Sequence, residues 1–516
     1  MYYRFRWIFC QLAYLRRCIP ARIRHALEEL PTTLDETYAR TLEEIDEQNW
    51  DFAHRLLQCV AAASRPLRAE ELAEFLAFDF KPEAGSTPTF LADWRSEDPE
   101  NDVISICSTL LVVVKPPSGS PIIQFAHFSV KEYLTSARLA ETKHTISRFH
   151  VSMTAAHTIV VQACLGVLLH LDENITKDNL SDLPLAVYAA EHWADHALFE
   201  NVSSAVQDGM KRLFDPSRCH LSVWVWIYDP TKYYWIQSEK SERPAEPRAT
   251  PLHYAAACNM HDIATFLIVE HSQDVNSRGF EDKETPLHVS SRRGHVEISR
   301  ILLDYGADID ARDDDDYSPL DRASIAGHVK LVKVLVEYGA DTNAPHKRGD
   351  TPLLLASSWG NPAGVRALLD YGADVVTQNK DKETPLHRAK EEETALLLLK
   401  HGADVNARDI RNETPLHHAS RFGFVGPEVV RVLLEHGADA NARDADNAIP
   451  LHLASGSQHQ GERRLDVVRV LLEHGSDTHA RDRDSQTPFM RATTESEVYH
   501  KMMKLLLEHG AVDHRV

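Results

Sequence analysis

The sequence predicts a mainly α-helical chain made of a small winged-helix module, a helical connector and a solenoid of stacked helix pairs. Three observations carry this reading. From Thr250 to Gly510 the chain repeats itself eight times, each copy opening on a Thr-Pro-Leu-His-like turn and closing on a Leu-Leu-x-x-Gly-Ala-Asp-like turn. Before Thr250, apolar stripes at helical spacing surround two β-rich runs. No window reaches the roughly 18 to 20 uninterrupted apolar residues of a membrane span. The longest apolar stretch, 158–169, reads as a buried helix.

The N-terminal elements follow in order. The first 24 residues hold Arg4, Arg6, Arg16, Arg17, Arg22 and Arg24 with no acid, a superficial likeness to a transit peptide. The helix pattern that follows favours one face of a larger domain. There Phe5, Trp7, Ile8, Phe9, Leu12 and Leu15 make an apolar face expected to promote self-association. Leu34, Tyr38, Leu42 and Ile45 form one helical stripe, and Phe52, Leu56, Leu57 and Val60 another. A third helix is predicted from Ala69 to Phe78, with Leu72, Phe75 and Leu76 inward. Val103 to Val114 and Ile122 to Ala126 read as β-rich runs around the turn formers Pro116-Pro117-Ser118-Gly119. Ser129-Val130-Lys131-Glu132 then opens a helix as a capping box. Three helices and a β-hairpin wing make a winged helix-turn-helix over residues 1–140, followed by a helical connector and linker over 141–249.

The repeats occupy 250–516. Their openings fall at Thr250, Thr285, Ser318, Thr351, Thr384, Thr414, Ile449 and Thr487, at intervals of 35, 33, 33, 33, 30, 35 and 38 residues. Thr is a good N-cap acceptor and Pro suits the first helical position, so each opening starts a helix. A second helix, as in Val296 to Leu303, ends at a left-handed glycine such as Gly306. Each unit is too small to bury its own core, so the copies must stack. The period and turn chemistry resemble the ankyrin repeat, which implies an ankyrin-repeat solenoid whose β-fingers carry the chain from one helix pair to the next. The fifth copy is three residues short near Glu391-Glu392-Glu393, and the seventh carries a polar insertion around Gly456 to Gly461. Both changes are expected in the turn between helices. The first copy has His271-Ser272-Gln273-Asp274 in place of Gly-Ala-Asp.

The segments Phe5 to Leu15, Leu30 to Leu42, Pro66 to Phe80 and Phe125 to Leu134, with Pro184 to Trp193, resemble a particular region of fungal STAND-type proteins. It is the region after the NACHT nucleotide-binding domain, in members that carry C-terminal ankyrin repeats. The resemblance implies a regulatory winged helix between an ATPase and a sensor array. This chain opens inside that block and carries no G-x-x-x-x-G-K-[ST] phosphate loop. The expectation is a motor-less relative or a portion of a NACHT NTPase.

Composition narrows the chemistry. Net charge is −21, about −9 before Thr250 and −12 after it, which argues against nucleic-acid partners. The helix Arg68 to Phe75, taken as the groove-reading third helix, offers three glutamates to a polyanion. Seven scattered cysteines with no C-x-x-C pair fit a reducing compartment, cytoplasmic with the nucleus also open. Among 29 histidines, His253, His288, His387, His417 and His452 recur in the opening turn. His401, His436, His474 and His509 precede the closing Gly. Fixed register marks a structural role. His192 and His196, four apart on a helix, offer a metal pair with no third ligand. Asp313 to Asp316 read as a solvated turn, and Ser129 near His127 as a cap. No cofactor, metal or catalytic residue is expected, and the chain is read as non-catalytic. Protein binding is assigned to a concave face and its variable finger tips: Asp314, Asp315, Asp316, Tyr317, His346, Lys347, Arg348, Lys380, Asp381, Lys382 and Arg411.

Overall fold

The computed structural model describes residues 33–80, 87–107, 110–117, 119–142, 145–231, 247–421, 425–456, 462–492 and 497–512. Two compact units divide between Pro247 and Arg248. The apolar helix predicted over 5–15 and the insertion over 457–461 lie outside the described residues.

In the first unit, α1 (Leu34–Glu43) opens on a capping box between Thr33 and Glu36 and buries Tyr38 and Leu42. It is followed by α2 (Trp50–Ala62), β1 (Leu67–Arg68) and α3 (Ala69–Glu74). A small ribbon pairs β2 (Phe78–Asp79) with β3 (Thr89–Phe90). Then come α4 (Pro99–Cys107), β4 (Leu111–Val114) and β5 (Ile122–Phe125). The antiparallel sheet has the order β1-β5-β4, with Leu67 opposite Ile123 and Leu111 opposite Phe125. This is a winged helix: three helices, a short first strand and a hairpin.

Two expectations change here. The run predicted as β from Val103 is helical as far as Cys107, and only Leu111–Val114 pairs as a strand. Val103 and Cys107 are buried one helical turn apart, a spacing that a helix and a strand share in so short an apolar run. The third helix of the module, the one that precedes the hairpin, is therefore α4 and not Arg68 to Phe75. The latter is α3, which tightens into a 3₁₀ turn at Phe75–Ala77 before strand β2.

The helix α5 (Phe128–Leu134) follows the hairpin, capped by His127 rather than by Ser129. Beyond it, α6 (Met153–His170) and α7 (Pro184–Ala197) pack against each other, and α6 packs on α2. By length and composition α6 is long and apolar enough to cross a membrane. In this fold it is the central helix of the unit, burying Val160, Val161, Cys164, Leu165 and Leu168. At Gly166 a Cβ atom would stand 2.7 Å from the Phe78 ring, so the glycine is what lets β2 lie against α6.

The second unit is the repeat array. Each opening helix begins at proline, as in Pro286–Arg293, Pro319–Ala326 and Pro352–Trp359. Each closing helix, as in Val296–Asp304 and Val329–Glu337, ends at a left-handed residue. In the first repeat Ser272 takes that conformation, with φ 50°. The predicted β-fingers are formed as tight turns, with Gly279–Glu284 as an isolated bridge, rather than as ladders. Each finger closes on itself by backbone bonds, such as Asp313 N to Tyr317 O (3.0 Å) or Asp409 N to Glu413 O (3.0 Å). Each then reaches its neighbour, Lys380 N to Arg348 O (3.1 Å) and Ile410 N to Asp381 O (2.9 Å).

The three-residue deletion in repeat five does not sit in the inter-helix turn as expected. It truncates the opening helix to one 3₁₀ turn, Pro385–Arg388, while the closing helix Glu392–Lys400 keeps its length. The stack persists because the closing helix still packs on both of its neighbours.

Gly372 has φ +84° with no atom within 4 Å of a built Cβ, so substitution there meets backbone strain and not a clash. Gly372→Val is expected to cost well over about 1 kcal/mol in urea unfolding, and Gly372→Asn distinctly less, since Asn tolerates the left-handed region. Equal costs for the two variants contradict the strain argument.

Candidate functional site

The opening-turn histidines do more than cap. In repeat two, the Thr285 amide donates to His288 Nδ1 (3.2 Å), and the Thr285 hydroxyl lies 2.8 Å from the same nitrogen. A nitrogen that accepts from an amide carries no proton, so the proton is on Nε2. From there it is donated to Tyr317 O in the next finger, 2.9 Å away. His387 reaches Glu413 O (3.2 Å), His417 reaches Ala448 O (3.3 Å) and His452 reaches Gln486 O (3.1 Å). His253 makes the same contact with Glu284 O at 2.8 Å. Burial pushes His253, His387 and His417 down to about 4, keeping each ring neutral.

Three repeats depart from this register, repeat eight by carrying Met490 there. Repeat three has Asp321, whose Oδ2 accepts from the Ser318 amide and hydroxyl (both 2.8 Å) while Oδ1 is buried with no hydrogen bond. Burial pushes this carboxyl up to about 6 against the Ser318 bonds. Repeat four has the buried apolar Leu354. The second histidine series behaves differently: His401, His436 and His474 each donate Nδ1–H to the carbonyl four residues back, at 2.8 Å.

The predicted tip residues separate into two groups. Asp314, Asp315, Lys347, Arg348, Lys380, Asp381, Lys382 and Arg411 are exposed. Asp314 pairs across fingers with Lys283 at 3.0 Å. Asp316, Tyr317 and His346 are spent on the fold. Asp316 accepts from the Lys347 amide, and Tyr317 lies under the Arg322 guanidinium. His346 Nδ1 accepts from the Arg348 and Asp350 amides at 3.1 and 3.2 Å. The acidic run is not uniformly solvated either, since Asp313 is buried against Arg322, at 3.0 Å from its Nε. Sequence reading missed Trp359, at the end of an opening helix and 63% exposed. An aromatic beside a helix-ending glycine reads from sequence as packing.

The truncation in repeat five has a consequence in space. Arg388, Ala389 and Lys390, where the helix now ends, line a pocket of about 360 Å³ with Glu383, Asp409, Glu413, His418 and Arg421. Glu383 accepts from Asn379 (2.8 Å) and Arg388 (2.8 Å). Burial raises its carboxyl and these bonds outweigh it, leaving it below the ordinary range. Asp409 is likewise held low despite burial, by His418 at 3.0 Å and by the Glu413 amide.

In the first unit the sequence candidates are absorbed by packing. His196 bonds Tyr188 (2.9 Å) and His157 (2.7 Å), and burial pushes it to about 4. His192 instead faces Glu191 and Asp195. Ser129 lies between His127 (2.6 Å) and the Tyr38 hydroxyl (2.8 Å) inside the first turn of α5. Two of the three glutamates taken as facing a polyanion are not free to do so, while Glu70 stays partly exposed. Glu71 is fully buried between Arg65 and Arg68, and Glu74 is buried on Arg95 and the Leu185 amide. The actual third helix, α4, presents Glu100 and Asp102 in its first turn and no base.

Residues 252–346, 339–409 and 408–482 match the family described as Ankyrin repeats (3 copies). Residues 42–147 match GPI inositol-deacylase, winged helix domain. Among curated proteins, the chain is 31% identical over 297 residues to the Azaphilone pigments biosynthesis cluster protein L of Monascus ruber. That match covers 55% of this chain and 61% of the relative. It is 24% identical over 242 residues to the Vegetative incompatibility protein HET-E-1 of Podospora anserina, covering 42% of this chain and 16% of the relative. The chain thus spans under two thirds of either relative's length. Solved structures similar to it include the human ASB11 ankyrin repeat domain (26% identity, TM-score 0.39, 45% of this chain and all of that one). The ankyrin repeat domain of Bcl-3 is another (32% identity, TM-score 0.36, 44% of this chain and all of that one). The chain is mainly helical, a winged-helix domain followed by ankyrin repeats.

The neutral histidines set the acid response. A ring held near 4 in the fold titrates at about 6.5 when unfolded. The unfolded chain therefore binds more protons between these values, and stability falls as pH drops through the window. The slope is about 1.4 kcal/mol per pH unit for each such histidine. Asp321 works in the opposite sense, gaining as pH falls below about 6, but it is one group against the four rings held near 4, His196 included. Denaturant midpoints measured at pH 7 and pH 5 are expected to drop markedly at pH 5. A flat profile contradicts neutral buried rings.

Proposed function

We propose that this chain is a non-catalytic protein-interaction scaffold working inside the cell, with its partner held on the concave face of the ankyrin array. In this reading it is the sensor part of a STAND-type signalling protein. The observation that carries the reading is how the array distributes its polar groups. The histidines, finger-base acids and Thr-Pro turns are consumed within and between repeats. The side chains left exposed are finger tips of alternating sign: Asp314 and Asp315, then Lys347 and Arg348, then Lys380, Asp381 and Lys382, then Arg411. Such a series steers and registers a partner of complementary charge. Trp359 adds a large exposed aromatic, the residue type that anchors interfaces. Ankyrin repeats generally bind protein partners, and the match of the first unit to a winged-helix domain is compatible with a regulatory element preceding a sensor.

A second reading makes the chain one portion of a NACHT NTPase whose motor is encoded elsewhere. Its support is the similarity to an incompatibility protein of which this chain covers only 16%, together with the N-terminal blocks that resemble the region following such a motor.

The surface assignment is tested with the full chain as bait in fungal extract, measuring the affinity of the recovered partner. Asp315→Lys, Arg348→Glu and Trp359→Ala are expected to weaken it, the last by tenfold or more, as for an interface anchor. Each charge reversal should change stability by no more than about 0.5 kcal/mol. Lys330→Glu on a closing helix should leave affinity unchanged. If Lys330→Glu abolishes binding and the finger variants do not, the concave-face assignment is wrong.

A further inference from the structure

The pocket between repeats five and six holds donor atoms that the scaffold reading does not use. Ligand atoms of Glu383, Asp409 and His418 lie within 4.8 Å of one another. His418 Nε2 is 3.0 Å from Asp409 Oδ2 and 3.4 Å from Glu413 Oε2, and its Nδ1 is 3.9 Å from Glu383 Oε1. The side chains of His418, Asp409, Glu413 and Glu383 are 11%, 4%, 4% and 9% exposed. Arg421 holds Glu413 through Oε1, and Oε2 is buried in the cluster with no hydrogen bond. A buried carboxylate oxygen without a donor carries a desolvation cost that a bound ligand removes.

Comparison between repeats separates this cluster from ordinary ion pairing. At the register of His418, repeat three has Arg322, paired with Asp313 nine residues earlier at 3.0 Å. Repeat eight has Arg491, paired with Asp482 nine residues earlier at 2.7 Å. Arginine is the better partner if pairing with the finger-base acid is all that is needed, because it is permanently charged and bidentate. Histidine in that place can offer a lone pair, which arginine cannot.

We propose that His418 Nε2, Asp409 Oδ2 and Glu413 Oε2 bind one divalent transition-metal ion of the Zn²⁺ class, with Glu383 orienting the imidazole from its other nitrogen. Ligand separations of 3.0 and 3.4 Å approach the edge of a tetrahedron with Zn–ligand bonds of about 2.0–2.2 Å, roughly 3.4 Å. Binding leaves the imidazole proton on Nδ1, which faces Glu383 Oε1 at 3.9 Å, the side from which a carboxylate orients a metal-bound ring. Glu383 is itself fixed by Asn379 and Arg388. Three carboxylates against Arg388 and Arg421 leave the site with one net negative charge before the ion enters. An imidazole donor favours zinc-class ions over Mg²⁺ and Ca²⁺, which take oxygen. The ion joins the opening helix of repeat six to the finger before it and, through Glu383, to the preceding finger. That is where the opening helix of repeat five is cut to one 3₁₀ turn.

The test is calorimetric titration of ZnCl₂ into the metal-free full chain at pH 7.5, beside His418→Arg. Arginine already occupies this register in three repeats, as Arg322, Arg388 and Arg491, so that variant keeps the Asp409 pair and the fold, which far-UV circular dichroism verifies. The parent chain is expected to take one more equivalent of Zn²⁺ than His418→Arg, at micromolar Kd or tighter, and to gain thermal stability from zinc that the variant does not. Glu413→Gln should weaken that equivalent at least tenfold. Glu383→Gln should weaken it by about 10- to 100-fold, as for other partners of a metal-bound histidine. Equal zinc stoichiometry and affinity in the parent and His418→Arg overturn the proposal, as does displacement of zinc by equimolar Mg²⁺.

Discussion

A buried, neutral imidazole shared between neighbouring repeats is the interaction on which the array depends. The turn that starts each helix leaves backbone N–H groups without partners, and one histidine answers that need and the next repeat's at once. Its Nδ1 accepts from the turn and its Nε2 donates onward, as His417 does between Thr414 and Ala448. A solenoid has no contact between distant segments, so its cooperativity is the sum of such neighbour terms. Asparagine adds a parallel link: Asn406 bonds Gly437 O at 3.0 Å and accepts from the Asp439 amide at 2.9 Å. Where the histidine is replaced, as by Asp321 and Leu354, the imidazole link to the next finger is missing.

The same economy explains the polar groups of the first unit. Glu71 and Glu74 lie inside the winged helix as anchors for Arg65, Arg68 and Arg95, not as surface charge. A buried carboxylate so satisfied fixes relative orientation even where its net contribution to stability is small. Glu74 also accepts from the Leu185 amide at 2.6 Å, which ties α3 to the start of α7. Residues beyond 140 are therefore packed into the winged-helix unit rather than strung behind it.

The repeats were legible in the sequence because their punctuation is periodic: proline, glycine and histidine return at nearly fixed intervals, and each has one physical reason to do so. The module at the other end was legible in outline only. Val103 to Val114 is apolar throughout, and its division into a helix and a strand depends on tertiary packing that a short run does not encode. The glutamates of α3 looked solvent-facing because their arginine partners, Arg65 and Arg95, lie outside the helix. At the fingers, exposure and engagement were indistinguishable in sequence: His346 and Arg348 are two residues apart, one folded into the turn and one free in solvent. The cluster at Glu383, Asp409, Glu413 and His418 left no motif, since its members come from two fingers and a helix. The signal that pointed toward it was the deletion in repeat five, which only the structure converts into a pocket.

The central claim, that the shared imidazole couples neighbouring repeats, is tested most directly by urea unfolding of His417→Leu. Leucine is what repeat four already carries at this register, so the side chain is compatible with the packing. The account predicts a loss of about 1–3 kcal/mol, from a buried Thr414 amide left without an acceptor and a severed link to the next finger. It also predicts a broader transition, as repeats seven and eight separate from the rest. An unchanged midpoint and an unchanged slope contradict it.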